Sequence, residues 1–444
     1  MATAAAAAFC GSEEVLVDGY GCIGDERNHT TAVGWTNNMD VIVASFWSKR
    51  PPLLSRLYVY APDLDPSAFS ELPRILCVVE GLILFHVAIR CRQPGCVLME
   101  ECDYFVYRVD SASLELIRNP SPVAFRDEDV GLLPRGNGGF TVAALVPTTD
   151  PKVFMLHLLH SAIGSWTSQK VSLEAPQNEF PMETMEILRD RVVDACRLLH
   201  HSTSTVITLG GEKGTMGWVD LWRGILLCDV LLPEPELRGV PLPLPRAMFL
   251  AIVLPDEEIR IDFGCPKLYR GIAFIKEKRC LRFLDLDISN ERLPDKNEKS
   301  LRFGWTVTTW SNCNLTNSFD DWKMDCLPVH GDIIRFDEQM QKQLLKCQLL
   351  RPRSAQDKDN SVGRNLENLL VFLPTPSMDN SDVVFLIAKA EFLHPETYVF
   401  AIDMRSNHLQ DVTEFGVEME LCDDFICHLG SVSKDKTCPA ASSR

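Results

Sequence analysis

The sequence predicts a mainly β fold, an antiparallel β-propeller-like repeat of about six or seven blades with one or two helical insertions. Three observations predict it. Short runs rich in Val, Ile, Phe and Tyr recur between Gly, Pro, Asp and Asn along most of the chain. Three of these runs end in an aspartate followed by a polar turn and a second run. One stretch, "GWVDLWRGILLCDVLL" at 217–232, reads as a hairpin that is apolar on both faces.

Taken in chain order, residues 1–40 are expected to be a mostly flexible leader, since "MATAAAAAFCG" has neither the positive n-region of a secretion signal nor the arginines of a transit peptide. Residues 41–415 are expected to form the propeller-like domain. Its strands are read in "DVIVASFW", "RLYVYAP", "RILCVVEGLILFHVAIR", "DYFVYRVDSASLELI", "FTVAALVP", "KVFMLHLL", "STVITLGG", "GIAFIKEKRCLRFLDLDI", "FGWTVTTW" and "DVVFLIAKAEFLHPETYVFAIDM". Many of these runs are too close together for a crossover helix, so their pairing should be mainly antiparallel. Two helices are expected: 182–201, with Met185, Leu188, Val192, Cys196 and Leu199 at helical spacing, and 335–350. The polar stretches 290–300 and 351–365 read as loops, and 416–444 reads as a C-terminal extension with a disordered tail from about 430.

The repeat is carried by Asp110, Asp287 and Asp403, whose separations of 177 and 116 are three intervals of 59 and two of 58. A period of that order suits propeller blades. Within 217–232, a two-residue turn at Arg223-Gly224 would set Trp222 opposite Ile225, Asp220 opposite Leu227 and Trp218 opposite Asp229. One face would then carry Trp218, Asp220, Trp222, Ile225, Leu227 and Asp229, and the other Val219, Leu221, Leu226, Cys228 and Val230. Such a hairpin must be covered on both sides, so Trp218, Asp220, Trp222, Arg223, Gly224 and Asp229 are read as an architectural motif rather than a catalytic one.

Forty-four basic against sixty-one acidic residues give a formal charge of −17, which disfavours nucleic acid and anionic membranes as partners. No apolar window reaches spanning length. The sixteen cysteines, without a secretion signal, are expected to be free thiols in the cytoplasm or nucleus. "GYGCIG" (19–24) has the spacing of a dinucleotide loop but no helix pattern after it, and "GGEKGT" (210–215) has Lys and Gly in the wrong order for a P-loop. Cys91, Cys96 and Cys102, and likewise Cys422, Cys427 and His428, are spaced too irregularly for a zinc motif. His157 and His160 should point to opposite faces of a strand, and His200-His201 should end a helix. Trp305, Trp310 and Trp322 are read as core aromatics. No catalytic residue, metal or cofactor is assigned.

These motifs together resemble the plant proteins, expanded in grasses, of the domain of unknown function 1618. The resemblance rests on 217–245, 269–288, 304–329 and 376–415, with a signature region of about 205–415. That family is similar to F-box-associated β-propellers, although residues 1–40 show no leucine-rich helical pair of the F-box kind. The double-faced hairpin, the spaced strand–Asp–turn units and the failure of every catalytic motif lead to the expectation of a non-enzymatic propeller that binds a protein partner. The alternative is a hydrolase or lyase with carboxylates and histidines gathered at the propeller axis.

Overall fold

A computed structural model describes residues 12–92, 101–117, 125–136, 138–173, 200–243, 250–253, 259–262, 265–292, 301–350, 366–379, 381–391, 394–417 and 427–433. The fold is mainly β, and six small sheets give a six-blade β-propeller arrangement, within the six or seven blades that the strand pattern predicts. The chain clusters into two units, one of 1–124, 134–140 and 428–444, the other of 125–133 and 141–427.

In the first unit, β1 (Ser12–Asp18), β2 (Cys22–Ile23), β3 (Ala32–Trp35), β4 (Val41–Trp47) and β5 (Leu54–Tyr60) share a sheet with β29 (Cys427–Ser433), in the order β29-β1-β5-β4-β3 with β2 on β5. The leader expected over 1–40 is thereby corrected for 12–35. Val15, Leu16, Val17 and Ala32 lie at 1% exposure or less, and burying such side chains outweighs the entropy of ordering so short a segment. The tail is corrected in the same way, since β29 adds to β1 and Val432 joins the same core. A meander of β6 (Arg74–Val79), β7 (Leu82–Ala88), β8 (Cys102–Arg108) and β9 (Ser113–Ile117) completes the unit. Its first turn is Glu80-Gly81, both at positive φ, the geometry that suits a two-residue hairpin.

Among the described residues, the second unit carries four larger sheets and one two-stranded ladder. Three are four-stranded: β10 (Val130–Pro134) to β13 (Trp166–Ser172) through β11 (Phe140–Pro147) and β12 (Val153–His160); β14 (Thr205–Gly210), β15 (Thr215–Asp220), β16 (Gly224–Asp229) and β17 (Leu237–Pro241); and β25 (Leu370–Pro376), β26 (Val383–Lys389), β27 (Glu396–Asp403) and β28 (His408–Val417). Between the last two come the small ladder of β18 (Leu250–Val253) and β19 (Ile259–Asp262), and a five-stranded sheet. That sheet is made of β20 (Arg270–Ile275), β21 (Cys280–Arg292), β22 (Leu301–Asn312), β23 (Lys323–Met324) and β24 (Val329–His330).

The expected helix at 335–350 forms as α1 (Glu338–Lys346). The Asp337 side chain accepts the Met340 N–H at 2.7 Å, and Met340 and Leu344, four apart, bury the same face. The helix expected at 182–201 falls almost wholly outside the described residues, as does the loop at 351–365; of the loop expected at 290–300, residues 290–292 instead continue β21 and the rest lie outside the described residues.

Two further expectations change. Asp403 does sit at a turn, accepting the N–H groups of Arg405 and Ser406 at 2.9 and 3.0 Å, and Asp110 also lies in a turn. Asp287, however, is inside β21, opposite Thr306, because the long β21–β22 ladder continues past it to Arg292. Nor are all cysteines free: Cys280 and Cys313 form a disulfide. They flank the Leu281–Asn312 pair at the end of that ladder, so antiparallel register alone sets the two side chains facing each other.

Candidate functional site

The 217–232 hairpin is covered on both sides, but its register differs from the expected one. Trp218 faces Leu226, Val219 faces Ile225 and Asp220 faces Gly224, leaving Leu221, Trp222 and Arg223 as the turn. Moving from a two- to a three-residue turn shifts the pairing sum by an odd number, which exchanges the faces of every aliphatic on β16. Met216, Trp218, Leu226 and Cys228 therefore pack into one core with the preceding sheet, and Val219, Leu221, Ile225 and Leu227 into another with Leu281 and Phe283. Gly224 is not at positive φ. It is required because a Cβ there would come within 2.6 Å of the Val240 carbonyl oxygen on β17.

The two aspartates stand apart. Asp229 pairs with Thr215 at the other end of the same ladder, five residues along β16 from Gly224, or roughly 16 Å. That separation exceeds the span over which two carboxylates act on one glycosidic bond. Asp229 accepts from Thr215 Oγ1 at 2.6 Å and lies 3.6 Å from Arg238.

Asp220 is buried and accepts the N–H groups of Ser202 and Trp222, both at 3.0 Å, with Arg223 Nε 3.9 Å away. Desolvation outweighs these partners and pushes its carboxyl up to about 6. His201, equally enclosed, is driven down to about 3 by burial and by the charges of Arg223 and Arg126. The two titrations have opposite consequences. Asp220 ionises above about 4 when unfolded and only near 6 when folded, so its contribution is lost as pH rises through 6. His201 is protonated below about 6.5 when unfolded and stays neutral in the fold, so its contribution is lost as pH falls below 6.5. In denaturant melts between pH 4 and 7, Asp220→Asn should steepen the loss of stability toward acid and His201→Gln should flatten it, by up to about 3 kcal/mol each. Parallel profiles for all three proteins would refute this assignment.

Arg270, 1% exposed, closes the other side of the motif. Its Nε donates to Asp285 at 2.9 Å, and its two terminal nitrogens donate to the carbonyls of Leu221 at 2.9 Å and Pro243 at 3.0 Å. The guanidinium lies over Trp222 at 5.5 Å and Phe283 at 5.0 Å. Buried tryptophans repeat the device. Trp218 donates its indole N–H to the Asp129 carbonyl at 2.8 Å, Trp322 to Pro241 at 2.6 Å and Trp305 to Leu366 at 2.8 Å. In each case a side chain of one sheet satisfies a backbone acceptor on or beside a neighbouring sheet of the same unit. Trp305 and Trp322 are core, as expected, and Trp310 packs against the same core as Trp322.

A recess in the second unit is lined by Arg282, Thr309, Asp325, Cys326, Asp382 and Arg405 together with Val384 and Met404. Arg282, 4% exposed, lies 3.8 Å from Asp325 and 3.4 Å from Asp382, and Arg405 lies 3.0 Å from Asp382. Both carboxylates are thus held by guanidinium groups. His157 and His160 project to opposite faces of β12, His157 bonded to Ser168 Oγ at 2.7 Å and His160 to Thr141 Oγ1 at 2.9 Å. "GYGCIG" spans the link from β1 to β2, and residues 24–31 form no helix. Of the two irregular cysteine groups, Cys96 and Cys422 lie outside the described residues.

The exposed feature that the sequence reading missed is a face of the first sheet. Ala32, Ile42, Ala44, Phe46, Leu57 and Val59 turn inward to the core. By register, Val33, Trp35, Val41, Val43, Ser45, Trp47, Tyr58 and Tyr60 share the opposite face, on which the buried Val43 and Ser45 separate an exposed end at Val33 and Trp35 from one at Trp47. Trp35 is 55% exposed, Trp47 40%, Val33 51%, and Met39 in the adjoining turn 75%. The signal was available in the alternation of "AVGW", but the polar, glycine-rich surroundings favoured a leader.

Residues 218–385 match the model of a family described as a protein of unknown function (DUF1618). No curated protein matches the sequence. Among solved structures, the chain is similar to a glycosyl hydrolase from Bacteroides ovatus, at 9% identity over 90% of this chain and 97% of that one, with a TM-score of 0.26. It is also similar to a Trypanosoma rangeli sialidase, at 11% identity over 91% of this chain and 53% of that one, with a TM-score of 0.29. A third likeness is to the polysaccharide lyase Uly1, at 7% identity over 92% and 90%, with a TM-score of 0.25. At such scores the likeness transfers neither a site nor an activity.

Proposed function

We propose that the protein is a non-enzymatic propeller scaffold that binds a protein partner through the Val33–Trp35–Met39–Trp47 face of its first sheet. The observation that carries this reading is the exposure of two tryptophans and a methionine on and beside one sheet whose other face already supplies the core. Large apolar side chains left in water mark interaction surfaces, and tryptophan is the residue most enriched where binding energy concentrates. The Trp47 indole N–H donates to the Glu26 carbonyl at 3.4 Å, which orients the ring. The formal charge of −17 favours a partner with a basic rim.

The test begins with affinity purification from plant cells, followed by direct titration of the purified partner. Trp35→Ala combined with Trp47→Ala should weaken binding by about 30-fold, the effect of losing a hot spot of about 2 kcal/mol. Fold stability should change little, because both rings are substantially exposed. A partner that binds the double variant as tightly as the wild type would sink the proposal, as would failure of any purified candidate to bind.

A further inference from the structure

We infer that Glu71, His86 and Cys102 form a zinc site on the second sheet of the first unit, with the fourth coordination position left open. One carboxylate oxygen, one imidazole nitrogen and the Sγ atom of this trio all lie within 4.8 Å of one another. His86 Nδ1 is 3.9 Å from Glu71 Oε1.

The sheet supplies two of the three donors. In the β7–β8 ladder, His86 faces Tyr104 and Ala88 faces Cys102, so His86 and Cys102 are diagonal neighbours on one face. Both are buried, at 4% and 3% exposure, and strand pairing fixes their backbones. The third donor comes from the segment before β6, which is pinned beside β7. Ser70 donates its N–H to the Ala88 carbonyl at 2.8 Å, its hydroxyl accepts the Cys91 N–H at 3.1 Å, and Phe69 bridges to Ile89. Glu71 follows directly, with its side chain 41% exposed.

A sulfur, an imidazole nitrogen and a carboxylate oxygen are the donor types zinc takes, at about 2.3, 2.0 and 2.1 Å. Tetrahedral angles at those lengths place the donors roughly 3.3–3.6 Å apart. Closing on the ion therefore requires less than about 1.5 Å of movement in any pair, and Glu71, the exposed member, can swing. Binding releases the thiol proton of Cys102, and two anionic donors then face the dication. Arg74 lies opposite His86 in the β6–β7 ladder, and the Glu71 carboxylate offsets a positive charge on that side of the site. The partial exposure of Glu71 also leaves a route for solvent to reach the open position.

Cobalt(II) titration of the full chain, freed of metal by a chelator, tests this. One equivalent should bind, with d–d bands of tetrahedral intensity and a thiolate-to-cobalt charge-transfer band that zinc then displaces. Cys102→Ser should abolish the charge-transfer band, and His86→Gln should weaken binding by about tenfold or more. Glu71→Gln changes an exposed side chain and keeps the fold, and it should weaken zinc by a similar factor in competition with a chromophoric chelator. Absence of stoichiometric binding would overturn the assignment. So would a charge-transfer band that survives Cys102→Ser, or a zinc affinity unchanged in Glu71→Gln.

Discussion

Replacing Arg270 by Met is expected to remove about 3–5 kcal/mol of stability at neutral pH, the range for breaking a buried ion pair by deleting one partner. Three losses combine. Asp285, with its side chain 17% exposed, keeps a charge whose guanidinium partner is gone. The carbonyls of Leu221 and Pro243 lose their donors where water has little access. The planar cation packed on the rings of Trp222 and Phe283 is replaced by a flexible thioether. Arg270→Lys retains the charge but cannot present one fork to three acceptors, so it should fall between the two. Equilibrium denaturation in urea measures both variants, and a Met variant within about 1 kcal/mol of wild type would contradict the role assigned to Arg270.

Trp218→Ala is expected to cost a similar amount, about 3–5 kcal/mol, because the ring is fully enclosed and its removal opens a cavity between two sheets. Trp218→Phe separates packing from hydrogen bonding. It retains most of the apolar contact but strips the donor from the Asp129 carbonyl, which should cost about 1–3 kcal/mol. Equal losses in the two variants would show that the hydrogen bond carries the whole effect, and a Phe variant as stable as wild type would show that it carries none.

Much of the fold was legible without coordinates. The strand runs named in the sequence all form strands, the 335–350 helix forms, and the 217–232 hairpin is buried on both faces. Alternation, turn residues and capping act between residues a few positions apart, so a linear reading captures them. The register of that same hairpin was not legible, because both of its faces are apolar and neither pairing exposes a misplaced polar group to argue against it. The leader was misread for a related reason: β1 is stabilised by β5 and by β29, which lies more than 400 residues away in sequence.

The sites divide in the same way. Sequence by itself determined a mainly β repeat fold, the apolar character of 217–232 and the acidic balance of the chain. Tertiary structure alone decided that Asp220 and Asp229 stand at opposite ends of a ladder, that Arg270 reaches Leu221 and Pro243, that Trp35 and Trp47 are exposed on the same side of one sheet, and that Glu71, His86 and Cys102 converge. Strand formation depends on local periodicity, which is written along the chain. Convergence of donors depends on register and on which segments pack together, and those are fixed by the summed burial of the whole core.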